Sequence, residues 1–279
     1  MTGMLRDWRL MRNGFLLAVT LFVYLFLLGP VVVIAVASLE SSMAYHFTLT
    51  PENPSLRWYF AIPGKYLHAF GVSFLVASIS ALIATALGAM AALGIVRGQS
   101  RGAQLLQTFF RLPLQIPLVV TGVVFLQFYY LLFDLLGVSL LGKLAGVVTA
   151  HVFITIPYNV STVAVVLMRT GTRLDEAAES LGATPWSAFR RVTLPAMKPG
   201  LFVGLFYSFI ISFGDVPVTV FLAGSGFVTL PVEIFHTLQF DWEPAVLALS
   251  TLVVLFSFAL IVVVQRVVGL DLVVPQSRR

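Results

Sequence analysis

Six long apolar stretches constrain this chain more than any other feature of its sequence. Each can cross the hydrocarbon core of a bilayer, which takes about 20 residues of helix. Backbone groups in lipid must be satisfied within the segment, so stretches of this kind predict helices. The sequence therefore predicts an all-α polytopic membrane protein with one transmembrane domain over residues 14–268. Its predicted spans are Gly14–Ser38, Leu67–Val96, Pro113–Phe133, Leu144–Met168, Leu201–Ala223 and Pro244–Val268.

Composition excludes an ordinary soluble domain. Apolar residues make up 59% of the 279 residues and charged residues only 10%, with a mean hydropathy of +0.98. Soluble domains carry about 25% charged residues. The first apolar stretch exceeds the 7–15 residues of a signal-peptide core, so it is predicted to be a span rather than a cleaved leader. Residues 1–13 and 269–279 are then short tails.

The distribution of basic residues predicts the orientation of the chain. Of its 17 lysines and arginines, only Arg57, Lys65 and Lys143 fall in loops on one side, and the other fourteen fall on the opposite side. Cytoplasmic loops carry the excess of basic residues in membrane proteins. Both termini and the loop 170–200 are therefore predicted to be cytoplasmic. The net charge of +5 is a topological signal, and it does not indicate nucleic-acid binding.

Residues 170–200 are the longest polar interruption in the C-terminal half, and their turn chemistry predicts two short helices. Thr172 is placed to N-cap the first helix, with Asp175 completing a capping box. Gly182 follows that helix as a C′ residue. One face of the helix is small and apolar at i, i+3 and i+4 spacing. The residues of this face are Leu174, Ala177, Ala178 and Leu181.

The second helix of this loop begins with Thr184 as N-cap and Pro185 at the first helical position. Proline removes an amide donor and disfavours a helical residue before it. The pairs Leu194–Pro195 and Pro199–Gly200 are therefore predicted to end this helix.

The spacing within this loop resembles the EAA loop of permease subunits in type I ATP-binding-cassette (ABC) importers. The family pattern is Glu-Ala-Ala, three residues, Gly, nine residues and Ile-x-Leu-Pro. The chain has Glu176-Ala177-Ala178, Gly182 and Val192-x-Leu194-Pro195, in which valine replaces isoleucine. The resemblance implies the type I permease fold, with this loop as a coupling element. The residues that it assigns to ATPase coupling are Glu176, Ala177, Ala178, Glu179, Leu181, Gly182, Leu194 and Pro195.

The resemblance also implies the partners of the chain. They are an ABC ATPase dimer, a second permease subunit that is a different chain, and an extracytoplasmic solute-binding protein, assembled in the bacterial inner membrane. ATP and Mg²⁺ would be bound by the ATPase subunits, and this chain would hold no cofactor and catalyse no reaction. The segment Gly137–Lys143 imitates a phosphate-binding loop, but Leu144 follows where serine or threonine is needed.

Asp215 is the acidic residue most deeply placed in a predicted span. Carboxylates within membrane segments face a cavity or a partner by default. Gly214 and Pro217 are expected to loosen the helix around it. Asp215 and the adjacent Phe213 are therefore candidates for lining the substrate pathway. The alternatives are a carboxylate at a helix end near the outer interface and a structural hydrogen bond to the partner subunit.

Residues 212–217 and 224–235 resemble the polyamine branch of these permeases, in which the fifth span often carries two acids. Gly214 takes the place of the first acid. The loops predicted to lie outside the cell contain six acidic residues, which mildly favours the attraction of a cationic substrate. A spermidine- or putrescine-like cation is therefore the leading substrate, with ferric iron, an aminophosphonate or another small organic solute left open.

Other classes of function have less support. A stand-alone secondary transporter would be expected to contain internal repeats with broken helices, and no clear repeat is present. The four histidines, His46, His68, His151 and His236, have no metal-site or hydrolase spacing, so no metal site is predicted.

Overall fold

The computed structural model describes residues 2–42, 50–98, 102–224 and 226–268. These residues contain isolated bridges but no β-strand, and they are predominantly helical. The helices are α1 (Thr2–Ala37), α2 (Arg57–Phe60), α3 (Gly64–Arg97), α4 (Ala103–Arg111), α5 (Leu118–Leu136), α6 (Leu144–Thr170), α7 (Arg173–Ser180), α8 (Pro185–Ala188), α9 (Leu194–Phe213), α10 (Thr219–Leu222), α11 (Leu230–Gln239) and α12 (Ala245–Val268). The predicted C-terminal tail, 269–279, lies outside the described residues. Residues 2–13 of the predicted N-terminal tail belong to α1.

Six helices among the described residues are long and apolar enough to cross a membrane, which confirms the six predicted spans. They are Gly14–Ala37, Gly64–Arg97, Leu118–Leu136, Leu144–Thr170, Pro185–Phe213 and Ala245–Arg266. The second and fourth spans begin or end within three residues of their predicted bounds. The third and fifth differ from the prediction for reasons that involve proline and glycine.

The third span begins five residues later than predicted. Pro113 lies in a 3₁₀ turn, Leu112–Gln115, and Pro117 has an extended ψ of 132° immediately before α5. Two prolines four residues apart remove amide donors and disfavour helical geometry in the residues before them. The segment before them forms instead a short helix, α4, with an apolar face that includes the exposed Leu105 and Phe109.

The fifth span begins earlier and ends earlier than predicted. Its helix, α9, ends at Phe213 rather than near Ala223, and the chain resumes helical form only in the four-residue α10. Gly214 occupies the C-cap of α9, and Pro217 follows three residues later. The expected loosening of the helix at these two residues is confirmed, and it is a complete break.

The chain forms two compact units, Met1–Pro63 with Thr237–Phe258, and Gly64–His236 with Ala259–Arg279. The second unit is built around α3, α6 and α9, which pack against one another along their lengths. The buried side of α3 carries mainly small residues. They are Ser73, Ala77, Ala81, Ala84, Gly88 and Ala92. Small residues let membrane helices approach closely, where dispersion and hydrogen bonds replace the absent hydrophobic driving force.

Asn159 of α6 lies at the junction of these three helices. Its Oδ1 accepts a hydrogen bond from Thr85 of α3 at 2.9 Å, and its Nδ2 donates to Ser208 of α9 at 2.5 Å. A Cβ on Gly88 would lie 2.5 Å from the Asn159 Cβ, and a Cβ on Gly204 would overlap Asn159 Oδ1. The two glycines thus make room for one fully buried amide that bonds to both neighbouring helices.

In the first unit, Glu40 organises the loop that follows α1. Its carboxylate accepts backbone N–H bonds from Ser42 at 2.9 Å and Glu52 at 2.8 Å. Its carbonyl accepts from Trp58 Nε1 at 3.0 Å, and Trp58 packs against the N-terminal turn of α12 at Ala245. The hydrogen bond from the Ser42 backbone is the main reason that the pKa of Glu40 lies below its ordinary value.

Candidate functional site: the α7–α8 loop and the faces of α6 and α9

The C-terminal end of α7 has the geometry predicted from its glycine. Gly182 has φ +88°, its N–H donates to Glu179 O at 2.9 Å, and the Ala183 N–H donates to Ala178 O at 3.0 Å. These two bonds form a Schellman motif with Gly182 at C′. The motif reverses the chain sharply between α7 and α8. No atom outside the local chain lies within 4 Å of a Cβ built on Gly182, so only the backbone conformation restricts this position.

The N-terminal end of α7 differs from the prediction, because the capping box does not form. Thr172 has helical dihedral angles, and its side chain makes no capping hydrogen bond. The carboxylate of Asp175 is instead engaged by other elements. Its Oδ2 lies 2.8 Å from Arg97 Nη2 at the end of α3, and its Oδ1 accepts from Thr193 Oγ1 at 2.7 Å. Local sequence spacing does not indicate this contact, since Arg97 lies 78 positions before Asp175.

The second helix of the loop begins as predicted but does not end as predicted. Thr184 Oγ1 accepts from the Ser187 N–H at 3.3 Å, and Pro185 occupies the first turn of α8. The chain then passes through one π-helical turn, Phe189–Thr193, directly into α9. Pro195 lies in the first turn of α9 and Pro199 lies inside it, so neither proline stops the helix.

The continuity of this segment has a physical reason. A proline within a helix removes one i→i−4 bond, and a wide π turn is a common place for such a mismatch to be absorbed. Half of the loop is consequently an extension of the fifth span rather than a separate short helix.

Apolar side chains on the α7–α8 loop are exposed although the loop is polar. Leu174 is 53% exposed, Leu181 89% and Trp186 69%, and Trp186 stacks on Phe189 with ring centroids 5.5 Å apart. Among the remaining predicted coupling residues, Glu176, Ala177, Glu179, Gly182 and Pro195 are exposed, and Ala178 and Leu194 are partly buried. The loop therefore presents three exposed apolar side chains, Leu174, Leu181 and Trp186, here named the apolar patch, and the exposed Glu176 and Glu179 lie between Leu174 and Leu181 in the sequence.

Asp215, the acid predicted to lie in the substrate pathway, is only 4% exposed. Its Oδ2 accepts from the Val218 N–H at 3.2 Å, the Thr219 N–H at 2.8 Å and Thr219 Oγ1 at 2.8 Å. His151 Nε2 of α6 lies 3.5 Å from the same oxygen. The carboxylate thus holds the break between α9 and α10, which favours the helix-end alternative. Phe213 is also buried, and it packs edge-on against Phe70. The pathway role of both residues stays a prediction.

His151 joins the same network through its two ring nitrogens. The hydroxyl hydrogen of Thr219 is donated to Asp215, so Thr219 Oγ1 accepts from His151 Nε2 at 2.8 Å. His151 Nδ1 lies 2.6 Å from Ser212 Oγ of α9. This contact fastens α6 to the end of α9. In the sequence His151 was one isolated histidine among four, and nothing in its spacing pointed to this role.

A polar stripe that the sequence analysis missed lies on the faces of α6 and α9. Tyr158 and Tyr207 stack with ring centroids 6.4 Å apart and an interplanar angle of 14°. Tyr207 is 53% exposed, and Tyr158 lies near the middle of α6. Among the described residues neither hydroxyl has a hydrogen-bond partner. A shallow groove of about 240 Å³ lies between the C-terminal half of α6 and the N-terminal half of α9, and its lining includes Thr162 and Arg169.

The described residues contain no cluster of three or more histidine, cysteine, aspartate or glutamate residues that would hold a metal ion. His46 lies outside the described residues.

Comparison with known proteins agrees with the fold. Residues 84–270 match the family described as binding-protein-dependent transport system inner membrane component. The chain is 28% identical over 261 residues to the spermidine/putrescine transport system permease protein PotC of Escherichia coli K12, covering 93% of this chain and 94% of the relative. It is 29% identical over 245 residues to the putrescine transport system permease protein PotI of the same strain, covering 87% and 86%.

A relative with a different named solute is similarly close. The sulfate transport system permease protein CysT of Escherichia coli K12 is 30% identical over 251 residues, covering 86% of each chain. Among solved structures, a chain of a bacterial ABC transporter involved in the import of the acidic polysaccharide alginate superposes with a TM-score of 0.72. Its identity is 16% and the match covers 94% of this chain and 98% of that one, a likeness of fold alone. The chain belongs to the family of binding-protein-dependent transport system inner membrane components, as a multi-pass permease of an ABC importer that resembles the spermidine/putrescine branch.

Proposed function

We propose that this chain, with a second and different permease chain, forms the translocation pathway of an ATP-driven polyamine importer. An extracytoplasmic binding protein delivers the solute, and a dimer of ABC ATPases binds ATP and Mg²⁺ on the cytoplasmic side. This chain catalyses no covalent step. Its task is to change the packing of its helices between two states when the ATPases close, as such coupling requires.

The observation that carries the proposal is the uncovered apolar patch on the α7–α8 loop. Leu174, Leu181 and Trp186 are exposed on a loop that the fourteen-to-three distribution of basic residues assigns to the cytoplasm. Apolar side chains that are grouped and rimmed by charge mark interaction sites in soluble surroundings. The exposed Glu176 and Glu179 lie between Leu174 and Leu181 in the sequence and are suited to basic residues on the partner ATPase.

The proposed pathway follows the stacked tyrosines on α6 and α9. Tyrosine is favoured at the membrane interface, whereas a hydroxyl near the middle of a span needs a polar environment. Tyr158 and Tyr207 have no such partner within the described chain, so we assign this face to water, solute or the second permease rather than to lipid. Asp215 and Phe213 would then contribute to the pathway indirectly, by fixing the position of the end of α9.

A polyamine suits this face because ammonium groups are attracted to the faces of aromatic rings. The two polyamine permeases among the relatives support the same substrate class. An anion such as sulfate is the second candidate. It is favoured by Arg169, which is exposed at the cytoplasmic end of the same groove, and by the sulfate relative.

Uptake of labelled putrescine, spermidine and sulfate tests the proposal. The complex with its binding protein is reconstituted into liposomes loaded with ATP. We expect ATP-dependent uptake of a polyamine that unlabelled sulfate does not compete away. Uptake of sulfate alone would retain the importer and refute the polyamine, and uptake of either solute without ATP would refute the importer.

A further inference from the structure

Asp175 joins three separate elements of the chain at one carboxylate. It projects from α7, pairs with Arg97 Nη2 at 2.8 Å at the last residue of α3, and accepts from Thr193 Oγ1 at 2.7 Å at the start of α9. The two charged side chains are only 18% and 21% exposed, and Thr193 is buried. We propose that Asp175 is a positioning residue that makes α3 and α9 move with α7, an inference that rests on the proposed coupling role of the α7–α8 loop.

The need for such a connection follows from the weak attachment of α7 by other means. The helix is flanked by two glycines with positive φ, Gly171 at 65° and Gly182 at 88°. Such residues form turns rather than rigid continuations of a helix. None of the eight residues of α7 is buried, and its N-terminal threonine makes no side-chain cap. A force applied to the exposed patch therefore reaches the spans through side-chain contacts more than through the backbone.

Arg97 is suited to receive that force. It is the last residue of α3, where a positive charge complements the helix dipole. α3 has 34 residues and is about 50 Å long, so its end moves with the whole span. Arg97 Nε and Nη1 are buried and have no hydrogen-bond partner among the described residues. Within the same described part of the chain, Asp175 is the one ion-pair partner of Arg97. Loss of the carboxylate would leave a largely buried guanidinium unpaired, so the pair resists separation.

Distance measurements test the connection directly, because the chain has no cysteine of its own. Spin labels are attached at Ser180→Cys on α7 and Gly94→Cys on α3, both exposed positions, in the assembled complex. We expect a narrow distance distribution that at least doubles in width in Asp175→Asn and in Arg97→Gln. The matched control is Arg173→Gln, which removes a positive charge from α7 itself and should leave the width unchanged.

Transport supplies the second readout. The number of solute molecules imported per ATP hydrolysed should fall about fivefold in Asp175→Asn and Arg97→Gln, at the lower end of usual coupling strengths. The double variant should lose no more than either single one, because both remove the same contact. Thr193→Ser should keep more of the parent ratio of solute imported per ATP hydrolysed than Thr193→Val, because valine lacks the hydroxyl that donates to Asp175.

The outcomes separate this inference from the proposed function. Distributions as narrow as in the parent chain would refute the connection, and broadened distributions with an unchanged transport ratio would refute its role in positioning. If the parent complex imports no solute at all, the proposed function fails, while the distance distributions still decide whether Asp175 holds α7 to α3. Loss of the ATPase from the Asp175→Asn complex would also overturn the inference, since Asp175 would then act in docking.

Discussion

Replacement of Gly182 by alanine isolates the contribution of one turn to coupling. Gly182 has φ +88°, and a Cβ at this position would meet no neighbouring atom, so alanine introduces backbone strain without a clash. A left-handed conformation costs a residue with a Cβ roughly 1–2 kcal/mol. That cost corresponds to about a 5–30-fold change in the ratio of the native turn to its alternative conformations. The turn lies outside all six spans, and their insertion should be unaffected.

The assay titrates the partner ATPase into the membrane-embedded permease pair and follows ATP hydrolysis. We expect the ATPase concentration for half-maximal hydrolysis to rise for Gly182→Ala, by at most about 5–30-fold when the partner binds only the native turn. The same concentration should rise less for Gly182→Asn, because asparagine is enriched at positions with a left-handed backbone. Gly94→Ala is the control, since Gly94 lies in α3 with a negative φ and open space around it.

Two results would contradict this reasoning. An unchanged titration for Gly182→Ala would mean that the Schellman turn is not part of the bound geometry. An asparagine variant as impaired as the alanine variant would mean that the left-handed backbone is not the cause of the defect.

Three further predictions concern other parts of the chain. Gly204→Ala should lower the melting temperature in detergent by several degrees, since its methyl group overlaps Asn159 Oδ1 and overpacking costs about 1–3 kcal/mol. An unchanged melting temperature would show that α6 and α9 move apart enough to fit the methyl group at little cost. Tyr207→Cys should react with a membrane-impermeant maleimide at least about tenfold faster than Asp215→Cys, because Tyr207 is 53% exposed and Asp215 only 4%. Equal rates would show that Tyr207 does not lie on a water-lined face. Because the folded pKa of Glu40 is lowered, its contribution to the loop after α1 is present at neutral pH and lost as the pH falls through that pKa. The protection factor of the Glu52 amide, its intrinsic exchange rate divided by its observed rate at the same pH, should therefore fall as the pH is lowered from neutral through the pKa of Glu40, and Glu40→Gln should remove this pH dependence.

Features set by neighbouring residues could be predicted from the sequence. The six spans follow from runs of apolar residues. The turn at Gly182 and the start of α8 at Thr184–Pro185 follow from local backbone preferences, which depend on a few adjacent residues. Each of these features is present in the structure within a few residues.

Features that depend on distant partners could not be predicted in this way. Asp175 has the correct spacing for a capping box, but Arg97 and Thr193 offer it a stronger, partly buried arrangement. The prolines at 195 and 199 signal a helix end, yet the π turn before them and the packing of α9 against α3 and α6 keep the helix continuous. Tertiary contacts override local preference in both cases.

The position of Asp215 illustrates a different limit. Depth along a predicted span indicates that a carboxylate needs a partner, but it does not reveal whether the partner belongs to the same chain. In the structure the partners are Thr219, the backbone beside it and His151. The stacked Tyr158 and Tyr207 belong to no recognisable sequence motif. They come together only because α6 packs against α9.

Solute-stimulated ATP hydrolysis by the purified complex in lipid is the most direct test of the proposed importer. The chain is purified with the proteins that accompany it and reconstituted with the binding protein and a panel of solutes. We expect an ABC ATPase to co-purify with the chain and its ATP hydrolysis to be stimulated by a polyamine. Absence of any ATPase from the purified complex would contradict the assignment of the α7–α8 loop as a coupling element.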